Sequence, residues 1–118
     1  MTKVRVIAQL RERDPRAASN FVERVSAFVE ENLPGTLAWE AFRDEATGRW
    51  IWYEVFADER ALASYEQAVS GEGLRNEAGK IFEFESVTLL TPLKDPKLIA
   101  LFDQVGAASM GTMAGFAR

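Results

Sequence analysis

The stretch RWIWYEVFADERALASY, residues 49–65, limits the fold more than any other part of the chain. Two-residue alternation puts Trp50, Trp52, Glu54 and Phe56 on one side of a strand and Ile51, Tyr53 and Val55 on the other. Bulk on both sides calls for cover on both faces, and a single acid among the rings calls for a partner or a pocket. Asp58 then starts a helix, its side chain an acceptor for free N–H groups. Ala61, Leu62, Tyr65, Ala68 and Val69 form the inner face of that helix, and Gly71 and Gly73 break it.

The flanking segments extend the pattern. KVRVIAQL alternates Val4, Val6, Ala8 and Leu10 on one face, with Ile7 on the other, and reads as a first strand. Asp14 followed by Pro15 is a helix start, and Ala18, Phe21, Val22, Val25, Phe28 and Val29 recur at helical spacing until Pro34 and Gly35. TLAWEAFR and RWIWYEVFA, joined by DEATG, read as a hairpin, with Arg43 and Arg49 solvated beside the turn. Leu74, Ala78, Ile81 and Phe82 suggest a short helical piece, weakened by Gly79. GEGLRNEAGK matches no phosphate-binding loop and reads as a loop or frayed helix able to act as a lid. SVTLLTPL is a further strand. The order is strand, helix, strand, strand, helix, strand: a ferredoxin-like βαββαβ fold with an antiparallel sheet and helices on one face. Residues 1–91 form this core of a single domain, 1–118. Beyond it, Asp95 and Pro96 start a C-terminal helix with Leu98, Ile99, Phe102 and Val105 inward, and ASMGTMAGFAR is an extended tail.

Composition narrows the chemistry. The chain has 118 residues, 47% hydrophobic and 27% charged, which is ordinary for one globular domain. It contains no Cys, so disulfides, thiolate metal sites and cysteine nucleophiles are excluded. It contains no His, which removes the usual general base near neutral pH and the usual imidazole ligand of haem or zinc. A net charge of -4 gives no electrostatic footprint for nucleic acid or an anionic membrane. No apolar run is long enough to cross a bilayer, and charges follow the N-terminus too closely for a signal-peptide core; a cytoplasmic protein is expected. With helices on one sheet face only, the bulky outer residues predict a homodimer with bare faces packed together, extended by residues 92–118.

PGTLAWEAFRDEATGRWIWYEVFADERALASYEQA resembles the core of the antibiotic biosynthesis monooxygenase family, within the dimeric α/β-barrel superfamily. The resemblance rests on Pro34-Gly35, Leu37 and Trp39, Arg43-Asp44, Tyr53-Glu54 and Ala61-Leu62, and is specific over residues 34–68. It implies a dimeric α/β barrel, a substrate pocket between sheet and helices, and oxidation of phenolic or quinol-type substrates by molecular oxygen without metal or flavin. Many members carry Trp at the place of Phe56 and His at the place of Tyr65. Lacking His, the chain cannot supply the iron ligand of haem-degrading relatives.

The candidate catalytic residues are Glu54 and Tyr65; the candidate substrate-binding residues are Trp39, Trp50, Trp52 and Phe56; no metal or cofactor is expected. A carboxylate desolvated among aromatic rings gains proton affinity and becomes a base near neutral pH. Its structural alternative is an acceptor for Tyr65 or a partner for an arginine. Tyr65 either donates to a substrate oxygen or buries its ring with the hydroxyl wet, and the tryptophans either box a flat ligand or pack a core. Three functions follow. One is a cofactor-independent monooxygenase acting on a small aromatic molecule, with Glu54 as base and Tyr65 holding the oxyanion. Another is a non-catalytic small-molecule-binding or stress-related protein, favoured by the missing His. The last is an RNA-binding sheet, opposed by Ile51 and by the charge.

Overall fold

Large rings need small neighbours, and the strand register supplies them. In the computed structural model, which describes residues 2–118, Ala8 and Ala41 stand on either side of Trp52 in the adjacent strands. The three strands are β1 (Val4–Glu12), β2 (Thr36–Asp44) and β3 (Arg49–Phe56). With β4 (Phe82–Leu89) and β5 (Ala108–Ser109) they form one sheet in the order β2-β3-β1-β4-β5. Every pairing is antiparallel except β4 with β5. Val4, Val6, Ala8 and Leu10 of β1 are all buried on the face that carries Trp50, Trp52, Glu54 and Phe56.

Four helices, α1 (Pro15–Asn32), α2 (Glu59–Gly71), α3 (Leu74–Ile81) and α4 (Pro96–Gln104), accompany the sheet. Asp14 caps α1 through the N–H groups of Arg16 and Ala17, and Asp58 caps α2 through that of Ala61, at 2.8 Å. Ala18, Phe21, Val25 and Val29 of α1 are buried, as are Leu62, Tyr65 and Val69 of α2. Among the described residues no helix is long and apolar enough to cross a membrane.

The paired residues of the family resemblance are partners in this packing. Gly35 leaves room for α2: a Cβ placed there would lie 2.7 Å from the Cβ of Ala61. The Nε of Arg43 donates to Glu12 at 2.6 Å, and Asp44 folds the hairpin by accepting from the N–H of Ala46. Gly48 completes the turn at φ 72°.

Three boundaries differ from expectation. β4 begins at Phe82, not at Ser86, because Phe82 and Phe84 continue the two-residue alternation once α3 ends at Ile81. The short helical piece expected from Leu74, Ala78 and Ile81 is α3, regular where the glycine segment reads as a loop or frayed helix, and it is entered through Gly73 in the left-handed region at φ 73°. In α4 only Leu98 and Phe102 are buried, while Ile99 and the capping Val105 just after the helix are exposed. The tail contributes β5, a two-residue parallel strand that pairs with Thr88 and Leu89 at the end of β4's free edge.

Candidate functional site

Cross-strand pairing sets Glu54 between Val6 of β1 and Trp39 of β2, in the middle of the helix-covered face. It is the one buried charged residue among those described, 7% exposed. Trp39 donates its indole N–H to Oε2 of Glu54 at 3.0 Å, and the Tyr65 hydroxyl donates to the same oxygen at 3.0 Å. Trp39 also reaches the Tyr65 oxygen at 3.1 Å, closing a triangle. Among the described residues both donors to Glu54 meet Oε2, so Oε1 is left for whatever occupies the adjoining space.

That space is a cavity of about 350 Å³ between the sheet and the helices, lined by Glu54, Tyr65 and Trp52 together with mostly apolar side chains. Its size is within the range of small-molecule sites. Burial raises the pKa of Glu54 to about 7; the bonds from Tyr65 and Trp39 oppose the shift, and the charge of Glu66 adds to it. Tyr65 is pushed well above its ordinary range, first by burial and then by the neighbouring Glu54. It therefore stays a phenol and Glu54 is the group that titrates.

The aromatic residues divide. Trp52 forms part of the cavity wall, and its indole N–H is buried without an acceptor among the described residues. Trp39 is outside the lining; it holds Glu54 from behind and floors a shallow surface groove against α1. Trp50 does not line the cavity either: its N–H goes to Glu12 at 3.2 Å and its ring meets Phe82 edge-on. Phe56 is fully buried, packed on Tyr65 with ring centroids 5.1 Å apart. Arg43 and Arg49 are exposed beside the turn as expected, and they also pair with Glu12 and Glu85 respectively.

Several lining residues were not among the candidates. Glu66 and Arg75 form an ion pair from α2 to α3 at the cavity. Phe84, Glu85, Ser86 and Val87 are consecutive in β4 and all line the cavity, which an unbroken strand cannot arrange. The strand is bulged there: Gln9 pairs with Ser86 and Leu10 with Phe84, leaving Glu85 as the extra residue between them. Among the described residues no group of three acidic side chains is placed to hold a metal ion.

The sequence model of the antibiotic biosynthesis monooxygenase family matches residues 3–70. No curated protein matches the chain by sequence. Solved structures share the fold. MupZ from Pseudomonas fluorescens superposes with a TM-score of 0.78 at 15% identity, covering 100% of this chain and 96% of that one. SnoaB from Streptomyces nogalater, a cofactor-independent oxygenase, gives 0.67 at 14% identity, covering 81% and 98%. Rv0793 from Mycobacterium tuberculosis gives 0.60 at 21% identity, covering 80% and 99%.

Proposed function

The chain belongs to the antibiotic biosynthesis monooxygenase family, and we propose that it is a cofactor-independent monooxygenase of the cytoplasm, acting as a homodimer on a small phenolic or quinol-type aromatic. The observation that carries this reading is Glu54: a buried carboxylate with a pKa of about 7, one oxygen anchored and the other free, at an apolar cavity. SnoaB, of the same fold, is a cofactor-independent oxygenase.

The chemistry asks little of the protein. Oε1 of Glu54 removes a proton from an activated ring CH2 flanked by phenolic rings, leaving a delocalised carbanion. The carbanion gives one electron to molecular oxygen and the radicals combine to form a C–O bond. The resulting peroxide eliminates water, so the CH2 becomes a carbonyl while O2 supplies that oxygen and the oxygen of the water. As Glu54 takes the proton on Oε1 its Oε2 becomes a weaker acceptor, so the Tyr65 hydroxyl can turn its hydrogen to the more basic oxyanion of the substrate beside it. The buried N–H of Trp52 offers a second donor. Lining acids Glu54, Glu66 and Glu85 outnumber the single lining cation, Arg75, so the cavity favours a neutral substrate over an ionised carboxylate.

Oxygen uptake with a panel of phenolic compounds that carry such a ring CH2, compared with phenols and quinols that lack it, tests the assignment. Glu54→Gln should lower the rate by about 10²- to 10⁴-fold, the usual contribution of a general base; equal rates would remove Glu54 from the chemistry. The second reading, a non-catalytic binder, draws on the complete bonding of Oε2 by Trp39 and Tyr65. It gives tryptophan quenching by aromatic ligands without oxygen uptake.

The homodimer in this proposal uses the outer sheet face, where Phe42 is 53% and Ile51 43% exposed beside half-buried Ile7 and Tyr53. The tail after β5 exposes Met110, Met113 and Phe116 and is assigned to the same interface.

A further inference from the structure

We propose that α4 is a strap across the cavity and that Phe102 on it sets how long a ring system the cavity accepts; this rests on the reading of the cavity as a substrate site. α4 follows the family-matched segment, residues 3–70, yet it contributes Phe102 to the cavity lining, and the residue at its C-terminal cap, Val105, lines it too. The two differ in exposure. Phe102 is 7% exposed and belongs to the core cluster, whereas Val105 is 56% exposed. One forms an inner wall and the other stands at the opening, alongside the half-exposed Phe84 of β4.

The helix is fastened at its ends more than along its length. On the N-terminal side, the Glu59 carboxylate of α2 accepts the backbone N–H of Asp95 at 2.8 Å and that of Lys94 at 3.1 Å. On the C-terminal side, Gly106 reverses the chain at φ 68° and β5 pairs Ala108 with Thr88 and Ser109 with Leu89. The N–H of Met110 then bonds the carbonyl of Leu89 at 2.8 Å. Between these anchors only Leu98 and Phe102 are buried. Few buried side chains between two fixed ends describe a segment that can lift without unfolding the sheet.

Register gives the wall its position. Val6 pairs with Glu54 on one side and with Leu89 on the other, so the acid and the anchored edge of α4 belong to one cross-strand row. Two strand spacings separate them, roughly 10 Å. Glu54 and Phe102 line the same cavity, so a ring system bound at Glu54 and extending across it is bounded by Phe102.

The test measures binding, by tryptophan quenching, of phenol, naphthol and hydroxyanthracene to the full-length protein. Phe102→Ala should favour hydroxyanthracene over naphthol by about tenfold relative to the wild type, and Phe102→Trp should shift the preference towards phenol. Phe102→Leu, which keeps an apolar side chain, controls for folding through its melting curve. Glu59→Ala should speed ligand exchange in stopped flow and leave the preference among ligands unchanged. An unaltered preference in both Phe102→Ala and Phe102→Trp, or unaltered exchange in Glu59→Ala, overturns the strap while leaving the site. Absence of quenching of the wild type by all three phenols overturns the site and the strap together.

Discussion

Glu54 receives both of its hydrogen bonds on Oε2, and this asymmetry governs its behaviour with pH. The folded chain keeps the Glu54 proton up to about pH 7, while an unfolded glutamate releases it near its ordinary value of 4.5. Rising pH across that window therefore favours the unfolded state. Relative to Glu54→Gln, the wild type should lose on the order of 3 kcal/mol of stability between those limits and nothing further above them. Urea titrations of both proteins at pH 4.5 and pH 8 measure the difference; a gap that widens in favour of the wild type at high pH would contradict it. Activity runs the other way, because the base must be ionised: uptake of oxygen should rise with pH and level off above about 7. Tyr65→Phe removes the strongest hydrogen bond opposing the shift, so its activity midpoint should move upward by about one pH unit.

At the scale of elements, two glycines make opposite predictions. A Cβ at Gly35 would be 2.7 Å from Ala61, so Gly35→Ala should cost about 1–3 kcal/mol by forcing α2 off the sheet. A Cβ at Gly79 of α3 meets nothing within 4 Å, so Gly79→Ala should stabilise by roughly 0.5–1 kcal/mol through helix propensity. Chemical denaturation of the two variants decides both. The helix starts at Asp14, Asp58 and Asp95 were legible because a cap is written in adjacent residues. The start of β4 was not, since Ala78, Ile81 and Phe82 fit a helical stripe as well as Phe82 and Phe84 fit a strand. Only pairing with β1 resolves the ambiguity, at Glu12 opposite Phe82.

The whole molecule presents one covered sheet face and one bare one, and the exposed Phe42 and Ile51 are on the bare side. Replacing both, Phe42→Lys with Ile51→Lys, should convert the proposed dimer to a monomer in light scattering while the far-ultraviolet spectrum is kept. A dimeric mass for the double variant would assign the interface elsewhere. The cavity also belongs to this scale. Its lining draws on three strands and all four helices, so no single segment announces it.

Residue order was enough to determine the alternating strands, the capped helices, their ferredoxin-like succession and the buried row containing Glu54. Each of these is a local property, carried by periodicity and by neighbours in the chain. Which aromatic residues reach open space was decided only by the tertiary structure. Trp50 and Trp52 have the same parity on the same strand, yet Trp50 is closed off by Glu12 and Phe82 while Trp52 borders the cavity. Glu66, Arg75 and Phe102 come to that cavity from separate helices. Alternation fixes which face a side chain takes; what stands opposite it depends on contacts between residues far apart in the chain.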